Sequence, residues 1–398
     1  MIKTMKDVIL SRAQDIIVKS EVEQALSSDQ KLRIKLGIDP TGPVLHLGRA
    51  SVVRRLKNLQ DMGHQIVLIV GDFTAKIGDA SDKTSERQVL SDDVIKANMA
   101  DYKAQLGQIL DMSKVEFHYN SEWLSKIPLD KFIELAQQFT VAQMIERENY
   151  AIRFKENRPI GLHEFLYPIL QGYDSIAVKA DIEIGGTDQL FNLMAGRTMQ
   201  KNAGQKPQSV LTFELLTGPD GRKMSTSWGN AIYITDEPND MYGKLMRIND
   251  ELIAEYYRIC TDVPLDVIEQ VVDDIAGGAN PRDTKASLAR EIVTIYHGEK
   301  AAFAAEEAFN AQFREGKLPE DMAEETVSKS KWQPIELLVA LKLAESKSDA
   351  RRLLEQGGVR LNGVQIKQER TKTSEITVEP DDVIQVGKRR FVKLRVKG

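Results

Sequence analysis

A short stretch near the start of the chain could bind an anion. Alternating apolar residues predict a half-buried strand over residues 32–38, turn residues follow at 39–43, and helical spacing begins after Leu45. His46 and Gly48 then lie in the first turn of that helix. Backbone N–H groups at a helix N-terminus attract phosphate, and Gly48 allows a ligand close to the backbone. Phosphate binding is one interpretation, and plain α/β scaffold is the other.

A second set of polar residues falls on one helix. Tyr167, Gln171 and Asp174 occupy positions i, i+4 and i+7, so a helix over residues 161–179 places them on one face. A phenol, an amide and a carboxylate in this arrangement can recognise a small polar ligand. A solvated helix face has the same spacing, and the spacing alone favours that alternative.

The third set is a loop with one prominent cation. Residues 218–227 follow a predicted strand at 210–213 and combine glycine, serine and threonine with Lys223. Small and cationic residues on a loop after a strand are typical of a phosphate clamp. For a single lysine loop, a solvated basic turn is the alternative.

The elements around these sets predict an α/β fold with a Rossmann-like, doubly wound parallel sheet. Strands expected at 32–38, 65–72, 115–119, 182–184 and 210–213 alternate with helices. We expect residues 1–31 to form a lead-in helix. Residues 130–158, helical and charged, are expected to form an insertion between the two halves of the sheet.

The pattern changes along the rest of the chain. The α/β domain is predicted over residues 1–231, and an α-helical domain without convincing strands over 232–315. Residues 316–333, acidic and with little periodicity, predict a linker. Residues 334–398 predict a small α+β domain of two short helices and a hairpin turning at Asn362-Gly363.

Composition and charge narrow the function. The 398 residues are 42% apolar and 28% charged, which is typical of a soluble globular protein. We expect the cytoplasm and no membrane contact, because no apolar run reaches the length of a membrane span and residues 1–7 lack a secretory segment. The single cysteine, Cys260, excludes an internal disulfide and is expected to be buried.

The net charge of −5 is unevenly distributed. Residues 331–398 carry 15 Lys or Arg against 9 Asp or Glu, a net of +6, which leaves −11 for residues 1–330. This asymmetry predicts that the C-terminal piece binds a polyanion.

Three motifs make the interpretation more specific. Residues 37–41 with 45–48 resemble the first signature of class I aminoacyl-tRNA synthetases, His-Ile-Gly-His. Residues 223–227 resemble the second, Lys-Met-Ser-Lys-Ser, and follow in the required order. Residues 167–174 resemble the tyrosine-reading helix of bacterial tyrosyl-tRNA synthetases. The similarity to that family covers essentially the whole chain after the first 30 residues.

The resemblance implies an activity and its partners. Members activate L-tyrosine with ATP to an adenylate and pyrophosphate, then transfer tyrosine to the 3′ end of tRNA(Tyr). It implies ATP as a substrate, magnesium bound through ATP, and a homodimer whose contact lies in the insertion, which also touches the tRNA acceptor arm. The helical domain would bind the anticodon arm, and the C-terminal domain resembles an RNA-binding domain of ribosomal-protein type.

The resemblance also assigns residues to roles. The expected catalytic donors to the ATP phosphates are Thr41, His46 and Lys223. The ATP-binding set is Asp39, Gly48, Arg49, Gly186, Asp188, Met224, Ser225, Thr226, Lys83 and Arg87. The tyrosine-binding set is Lys35, Gly37, Asp79, Tyr167, Gln171, Asp174 and Gln189, with Asp174 meeting the phenolic hydroxyl. The tRNA-binding set is Lys347, Arg351, Arg352, Arg360 and Arg389, with Lys388 and Arg390 beside it.

The chain departs from the family pattern at three positions. Arg49 replaces the second histidine of the first signature, Thr226 replaces the second lysine of the other, and Lys35 stands where many members have a tyrosine. Lys83 and Arg87 are expected to supply compensating charge to pyrophosphate. Two alternatives stay open, namely a tryptophan–tRNA ligase and a catalytically inactive paralogue that only binds RNA.

Overall fold

The computed structural model of the chain describes residues 4–79, 91–314, 322–366, 375–387 and 390–396. The chain forms two compact units, Met1–Glu306 and Glu307–Gly398. The strands of the first unit are β1 (Ala13–Ile17), β2 (Arg33–Ile38), β3 (Gln65–Val70), β4 (Val115–Tyr119), β5 (Ile182–Gly186) and β6 (Ser209–Phe213). The helices that begin in it are α1 (Met5–Arg12), α2 (Lys19–Ala25), α3 (Leu47–Asp61), α4 (Asp92–Met99), α5 (Tyr102–Leu106), α6 (Ser121–Leu124), α7 (Leu129–Ala136), α8 (Val141–Ile145), α9 (Glu148–Lys155), α10 (Tyr167–Val178), α11 (Leu190–Asn202), α12 (Pro238–Leu245), α13 (Ile253–Cys260), α14 (Leu265–Ala276), α15 (Pro281–His297) and α16 (Glu299–Arg314).

The six strands form one sheet in the order β1-β6-β5-β2-β3-β4, in which β2 to β6 are parallel. From β2 the chain builds outward through β3 and β4, and it then returns to build the other half through β5 and β6. The strand order therefore reverses between β2 and β5. The loops after these two strands diverge at this point and leave a crevice for a ligand. The prediction of a doubly wound, Rossmann-like sheet is confirmed.

The central strands are buried on both faces because helices cover both. Every residue of β5 and β6 is buried, and so are five of the six in β3. Continuous burial explains why the sequence shows apolar runs there instead of alternation. Cys260 is a free and buried thiol, as predicted.

The prediction of a lead-in helix over residues 1–31 is wrong in its middle. Residues 13–17 form β1, which pairs antiparallel with β6 and brings Ile16 opposite Leu211. Without β1, strand β6 would be an open sheet edge with unpaired backbone groups. The short apolar run around Ile16 and Ile17 fits a strand as well as a helix, and the sheet edge decides between them.

The insertion packs onto the sheet's helical layer. Its helices α7, α8 and α9 cover most of the predicted 130–158 range. Leu135 and Met144 from the insertion cluster with Ile169 of α10 and Met199 of α11. Residues 237–314, all of them described, contain helices and no strand. Residues 231 and 232 both lie within the first compact unit, so the domain boundary predicted between them stays a prediction.

The second unit is a small α+β fold. Its strands are β7 (Ala323–Val327), β8 (Lys331–Trp332), β9 (Val359–Leu361), β10 (Val364–Gln365), β11 (Ile376–Thr377), β12 (Val383–Val386) and β13 (Arg390–Val396), and its helices are α17 (Pro334–Ala340) and α18 (Lys347–Glu355). The main sheet has the order β10-β9-β12-β13-β7, and β11 pairs with β8. Asn362 and Gly363 both have positive φ angles, of 49° and 81°, as the predicted hairpin turn requires.

The linker predicted over residues 316–333 is wrong in its second half. Within it, β7 pairs in parallel with β13, with Ala323 opposite Val392, and β8 pairs with β11. Val327 belongs to the apolar core of this unit together with Leu337 and Leu394. Parallel pairing to a distant strand leaves no local signal, so these residues read as irregular in the sequence.

No helix in the described parts of the chain combines the length and apolarity needed to cross a bilayer.

Candidate active site

A cavity of about 290 Å³ opens at the carboxyl edge of the parallel sheet. Residues that follow β2, β3, β5 and β6 line it, as expected for the point where the strand order reverses. His46, Asp174 and Lys223 all contribute to its wall. The three polar sets found in the sequence therefore share one site.

Most of the predicted ATP and tyrosine residues line this cavity. They are Gly37, Asp39, Thr41, His46, Gly48, Arg49, Asp79, Tyr167, Gln171, Asp174, Gly186, Asp188, Gln189, Lys223, Met224, Ser225 and Thr226. Lys35 differs, because it is fully buried with its ammonium against Glu183 and is not part of the cavity wall that the described residues form. Lys83 and Arg87 lie outside the described residues.

The cationic residues predicted to bind tRNA belong to the second unit. Lys347, Arg351 and Arg352 are exposed on α18, and Arg360 is exposed on β9. Arg390 is exposed at the start of β13, whereas Lys388 and Arg389 are not among the described residues.

Helix α10 presents its polar stripe to the cavity. Tyr167, Gln171 and Asp174 are 6%, 8% and 3% exposed, and all three line the cavity. The alternative of a solvated helix face is therefore wrong. Gly172 on the same helix packs closely against α11, where a Cβ would lie 2.5 Å from the sulfur of Met199.

The carboxylate of Asp174 is buried and held by two donors. Trp123 Nε1 donates to its Oδ1 at 2.7 Å, and Asn120 Nδ2 donates to its Oδ2 at 3.3 Å. Burial nevertheless raises the pKa of Asp174 to about 7, although the positive charge of Lys35 and both donors act to lower it. A group that can donate to this carboxylate would relieve the cost of its burial.

Sequence reasoning missed the residues that support Asp39, Asp79 and Asp174. Asn120 follows β4 directly and Thr74 lies just after β3, so their position at the carboxyl ends of parallel strands could have marked them. Trp123 and Arg147 carry no such signal, because their contacts depend on how distant segments pack.

Asp39, at the end of β2, ties three elements together. Its Oδ1 accepts a hydrogen bond from Thr74 Oγ1 at 2.8 Å, and its Oδ2 accepts one from the Tyr167 hydroxyl at 2.9 Å. A Cβ at Gly71 would lie 2.0 Å from Asp39 Oδ1, so the loop after β3 needs glycine there.

Asp79 makes a second bridge across the site. Its Oδ1 accepts from Arg147 Nη2 at 2.8 Å, and its Oδ2 accepts from Gln189 Nε2 at 2.7 Å. The bridge joins the loop after β3, the helical insertion and the turn after β5. The insertion therefore supports Asp79 of the cavity wall through Arg147, which is not itself among the described residues that line the cavity.

His46 occupies the N-cap position of α3 and is half-buried. Burial, reinforced by the charges of Arg49 and Lys223, lowers the pKa of His46 to about 3, so the imidazole is a neutral hydrogen-bond partner at physiological pH. The Leu47 N–H donates to the carbonyl of Ile232 at 2.8 Å, so this helix N–H is already used within the protein. A Cβ at Gly48 would lie 3.2 Å from His46 Nδ1, so this glycine makes room for the ring.

Arg49 brings a fixed cation into the cavity. Its Nη2 donates to Thr41 Oγ1 at 2.6 Å, and its Nη1 donates to the Tyr102 hydroxyl at 3.0 Å. Because Thr41 accepts from Arg49, its own hydroxyl proton can be donated to another acceptor.

The loop with Lys223 folds back on Asn230. The Ser225 N–H donates to Asn230 Oδ1 at 2.8 Å, and Asn230 Nδ2 donates to the carbonyl of Lys223 at 3.1 Å. Lys223 Nζ lies 3.1 Å from Asp188 Oδ2, and about a third of its side chain is exposed. Its ammonium thus stands at the open side of the cavity, where it can reach a bound phosphate.

The chemistry available at this site is charge stabilisation and recognition. Arg49, Lys223, His46 and Thr41 provide donors suited to a polyanion. Asp174 provides a buried acceptor for a polar group on a small ligand. Within the described parts of the chain, no three His, Cys, Asp or Glu side chains come together as a metal site.

Comparisons with known proteins agree with this arrangement. The family described as tRNA synthetases class I (W and Y) matches residues 27–314, and the S4 domain family matches residues 336–375. A tyrosine–tRNA ligase of Bordetella pertussis is 46% identical, covering 96% of this chain and 94% of its own. One of Moorella thermoacetica is 44% identical, covering 95% of this chain and 91% of its own. A C-terminally truncated mitochondrial tyrosyl-tRNA synthetase of Aspergillus nidulans has a similar fold, with a TM-score of 0.64, 22% identity, and coverage of 78% of this chain and 94% of its own.

The low pKa of His46 predicts that its imidazole stays neutral over the physiological range. In an NMR titration from pH 5 to pH 8, the His46 ring signals should not shift with pH. His118 is the matched control, because burial lowers its pKa but hydrogen bonds with Glu116 and Glu122 prevail and raise it overall. The His118 signals should therefore titrate, and a His46 midpoint inside the same window would contradict the geometry.

Proposed function

The chain belongs to the class I tRNA synthetases for tryptophan and tyrosine, and from this we infer how its cavity works. Its activity is tyrosine–tRNA ligation, the activity of the relatives that match nearly its whole length. ATP is the second substrate. The observation that carries the mechanism is that Asp174, His46 and Lys223 line the same cavity.

The first step needs placement and charge stabilisation. The tyrosine carboxylate is already ionised at neutral pH, so it attacks without a general base. An oxygen of this carboxylate forms a bond to the α-phosphorus of ATP, the bond to the β-phosphate oxygen breaks, and pyrophosphate leaves. Thr41, His46 and Lys223 donate to the phosphate oxygens as negative charge grows on them.

ATP enters as its magnesium complex in this proposal. Magnesium prefers oxygen ligands and keeps several waters, so the phosphates can supply its main contacts. The carboxylates lining the cavity already have protein partners, as Asp39, Asp79 and Asp174 show. The donor set therefore suits a metal that arrives with the nucleotide.

The buried carboxylate selects the amino acid. Asp174 accepts a hydrogen bond from the phenolic hydroxyl, and Asp79, Tyr167, Gln171 and Gln189 surround the ammonium group. Phenylalanine lacks the hydroxyl and would leave Asp174 without this donor, which costs binding free energy. A tryptophan substrate has no phenol for this acceptor, and the relatives at 44% and 46% identity are tyrosine–tRNA ligases.

Arg49 offsets the missing lysine at Thr226. The usual second signature contributes a lysine on a loop, whereas this chain has an arginine anchored on α3 by Thr41 and Tyr102. A cation fixed on a helix needs less reorganisation when ATP binds. The roles of Lys83 and Arg87 toward pyrophosphate stay predictions.

The second step involves tRNA. The terminal ribose attacks the adenylate carbonyl and AMP leaves. We propose that helices within residues 232–315 bind the anticodon arm and that the S4 domain grips the tRNA through exposed cations. Such contacts to phosphates supply most of the affinity and make it salt-dependent. Because tRNA is the substrate, we propose that the protein acts in the cytoplasm.

We also propose a homodimer formed through the insertion. Large apolar side chains exposed between residues 129 and 162 support it: Leu129 is 74% exposed, Val141 64%, Phe154 61% and Leu162 77%. Exposed apolar area of this kind is typical of an interaction surface. Sedimentation velocity should give the mass of a dimer, and Phe154→Asp should shift it to a monomer; a monomer in the unchanged chain would contradict the proposal.

Tyrosine-dependent ATP–pyrophosphate exchange tests the activity and the role of Asp174. The unchanged chain should catalyse exchange with tyrosine and not with tryptophan or phenylalanine. Asp174→Asn should raise the KM for tyrosine about 5- to 150-fold, the equivalent of roughly 1–3 kcal/mol for a lost buried acceptor, and leave the KM for ATP nearly unchanged.

Asp181→Asn is the matched control, since Asp181 accepts from the Arg33 N–H at the opposite end of the sheet. It should leave both KM values unchanged. If Asp174→Asn raised the KM for tyrosine and the KM for ATP equally, the assignment of Asp174 would be contradicted. If none of the tested amino acids supports exchange, the chain would be the inactive paralogue that only binds RNA.

The role of the second unit is tested with Arg351→Ala/Arg352→Ala. If both side chains contact phosphates, the KM for tRNA should rise, and the slope of log affinity against log salt should fall by about 1 to 2. Exchange without tRNA should stay the same. Glu355→Ala on the same helix is the control and should not weaken charging; unchanged charging by the arginine variant would show that tRNA binds elsewhere.

A further inference from the structure

A buried ion pair lies behind the amino-acid side of the cavity. Lys35 on β2 and Glu183 on β5 are opposite each other in the parallel register, and both side chains are fully buried. Lys35 Nζ lies 2.8 Å from Glu183 Oε1. Burying two charges is costly, and apolar residues of similar volume often give equal stability. The pair therefore calls for an explanation beyond packing.

The hydrogen bonds of Lys35 connect the pair to α10. Besides Glu183, its ammonium donates to the backbone carbonyl of Gln171 at 3.0 Å and to Ser175 Oγ at 2.9 Å. An ammonium has three protons, so these three partners satisfy it fully. Lys35 thus holds the middle of the helix that carries Gln171 and Asp174.

The hydrogen bonds of Glu183 lead to the cavity through one side chain. Its Oε2 accepts from Ser175 Oγ at 3.0 Å and from Gln208 Nε2 at 2.5 Å. Its Oε1 accepts from Gln171 Nε2 at 3.3 Å, and Gln171 lines the cavity. The carboxylate therefore contacts the far side of a residue that faces the substrate.

The charge of Glu183 decides which way the Gln171 amide points. An ionised carboxylate only accepts hydrogen bonds, so the amide nitrogen of Gln171 must face Glu183. The amide oxygen is then directed to the other side. An oxygen is what an ammonium group of an amino acid requires, whereas an amide nitrogen in its place would repel it.

We propose that the Lys35–Glu183 pair orients the side-chain amide of Gln171 so that its oxygen accepts a hydrogen bond from the ammonium group of the substrate. Lys35 and Glu183 are positioning residues in this proposal, which rests on the proposed function. Lys35 pairs with Glu183 and holds the α10 backbone, and Glu183 holds the amide. The departure at position 35 thereby serves tyrosine recognition without touching tyrosine.

The test uses the full-length protein and Glu183→Gln. A glutamine at 183 can donate or accept, so the Gln171 amide is no longer fixed in one orientation. The KM for tyrosine in ATP–pyrophosphate exchange should rise about 10-fold or more, while the KM for ATP stays within about twofold. Glu116→Gln is the control, because it breaks the Arg33–Glu116 pair between β2 and β4 of the same sheet, and it should change neither value.

An analogue without the ammonium group separates orientation from general damage. 3-(4-Hydroxyphenyl)propionate should inhibit exchange with the same inhibition constant in the unchanged chain and in Glu183→Gln. If Glu183→Gln raised the inhibition constant of this analogue as much as the KM for tyrosine, the proposal would be overturned.

A second variant guards against misfolding. Lys35→Met/Glu183→Met removes both charges at similar volume, so it should keep the thermal midpoint of the unchanged chain and still show the raised KM for tyrosine. A normal KM in this double variant would show that the pair is only structural and overturn the proposal. If the unchanged chain catalysed no exchange, the proposed function would be overturned as well. If the unchanged chain is active and Glu183→Gln raises the KM for tyrosine and the KM for ATP equally, only this inference is overturned.

Discussion

The site is organised around the carboxylate of Asp174, whose ionised form is less stable in the protein than in water. Asp174 is 3% exposed, and its pKa of about 7 reports that burial outweighs the donors Trp123 and Asn120. Because this pKa lies above its ordinary value, the contribution of Asp174 to folding is fully present at low pH and is lost as the pH rises from about 4 to about 7. In the proposed complex, a phenolic hydroxyl that donates to Asp174 would offset this loss.

The sheet topology brings the separate parts of the site together. The strand order reverses between β2 and β5, so the loops after these strands bound one crevice. The first signature follows β2, the loop with Asp188 follows β5, and the loop with Lys223 follows β6. The sheet topology alone therefore brings together site residues that are far apart in sequence.

The features that the sequence predicted are those with a local cause. The central strands, the stripe on α10 and the two signatures each occupy a few consecutive turns or residues, so their patterns are visible in the chain. Strand β1 was not predicted, because its apolar run suits helix and strand alike and only the edge of β6 decides. The contact of Arg147 with Asp79 joins segments 68 positions apart, and no spacing could indicate it. The family resemblance predicts Lys35 in the tyrosine pocket, whereas its strand position lies deeper than Gly37 and directs it to Glu183.

A crystal structure with a non-hydrolysable tyrosyl-adenylate analogue would test directly whether one cavity binds both the tyrosyl and the adenylate parts of the intermediate. The phenolic oxygen should lie within hydrogen-bond distance of the Asp174 carboxylate, with the linkage that replaces the α-phosphate beside His46 and Thr41. An analogue bound with its aromatic ring away from Asp174, or with its adenosine outside the cavity lined by His46 and Lys223, would contradict this interpretation of the structure.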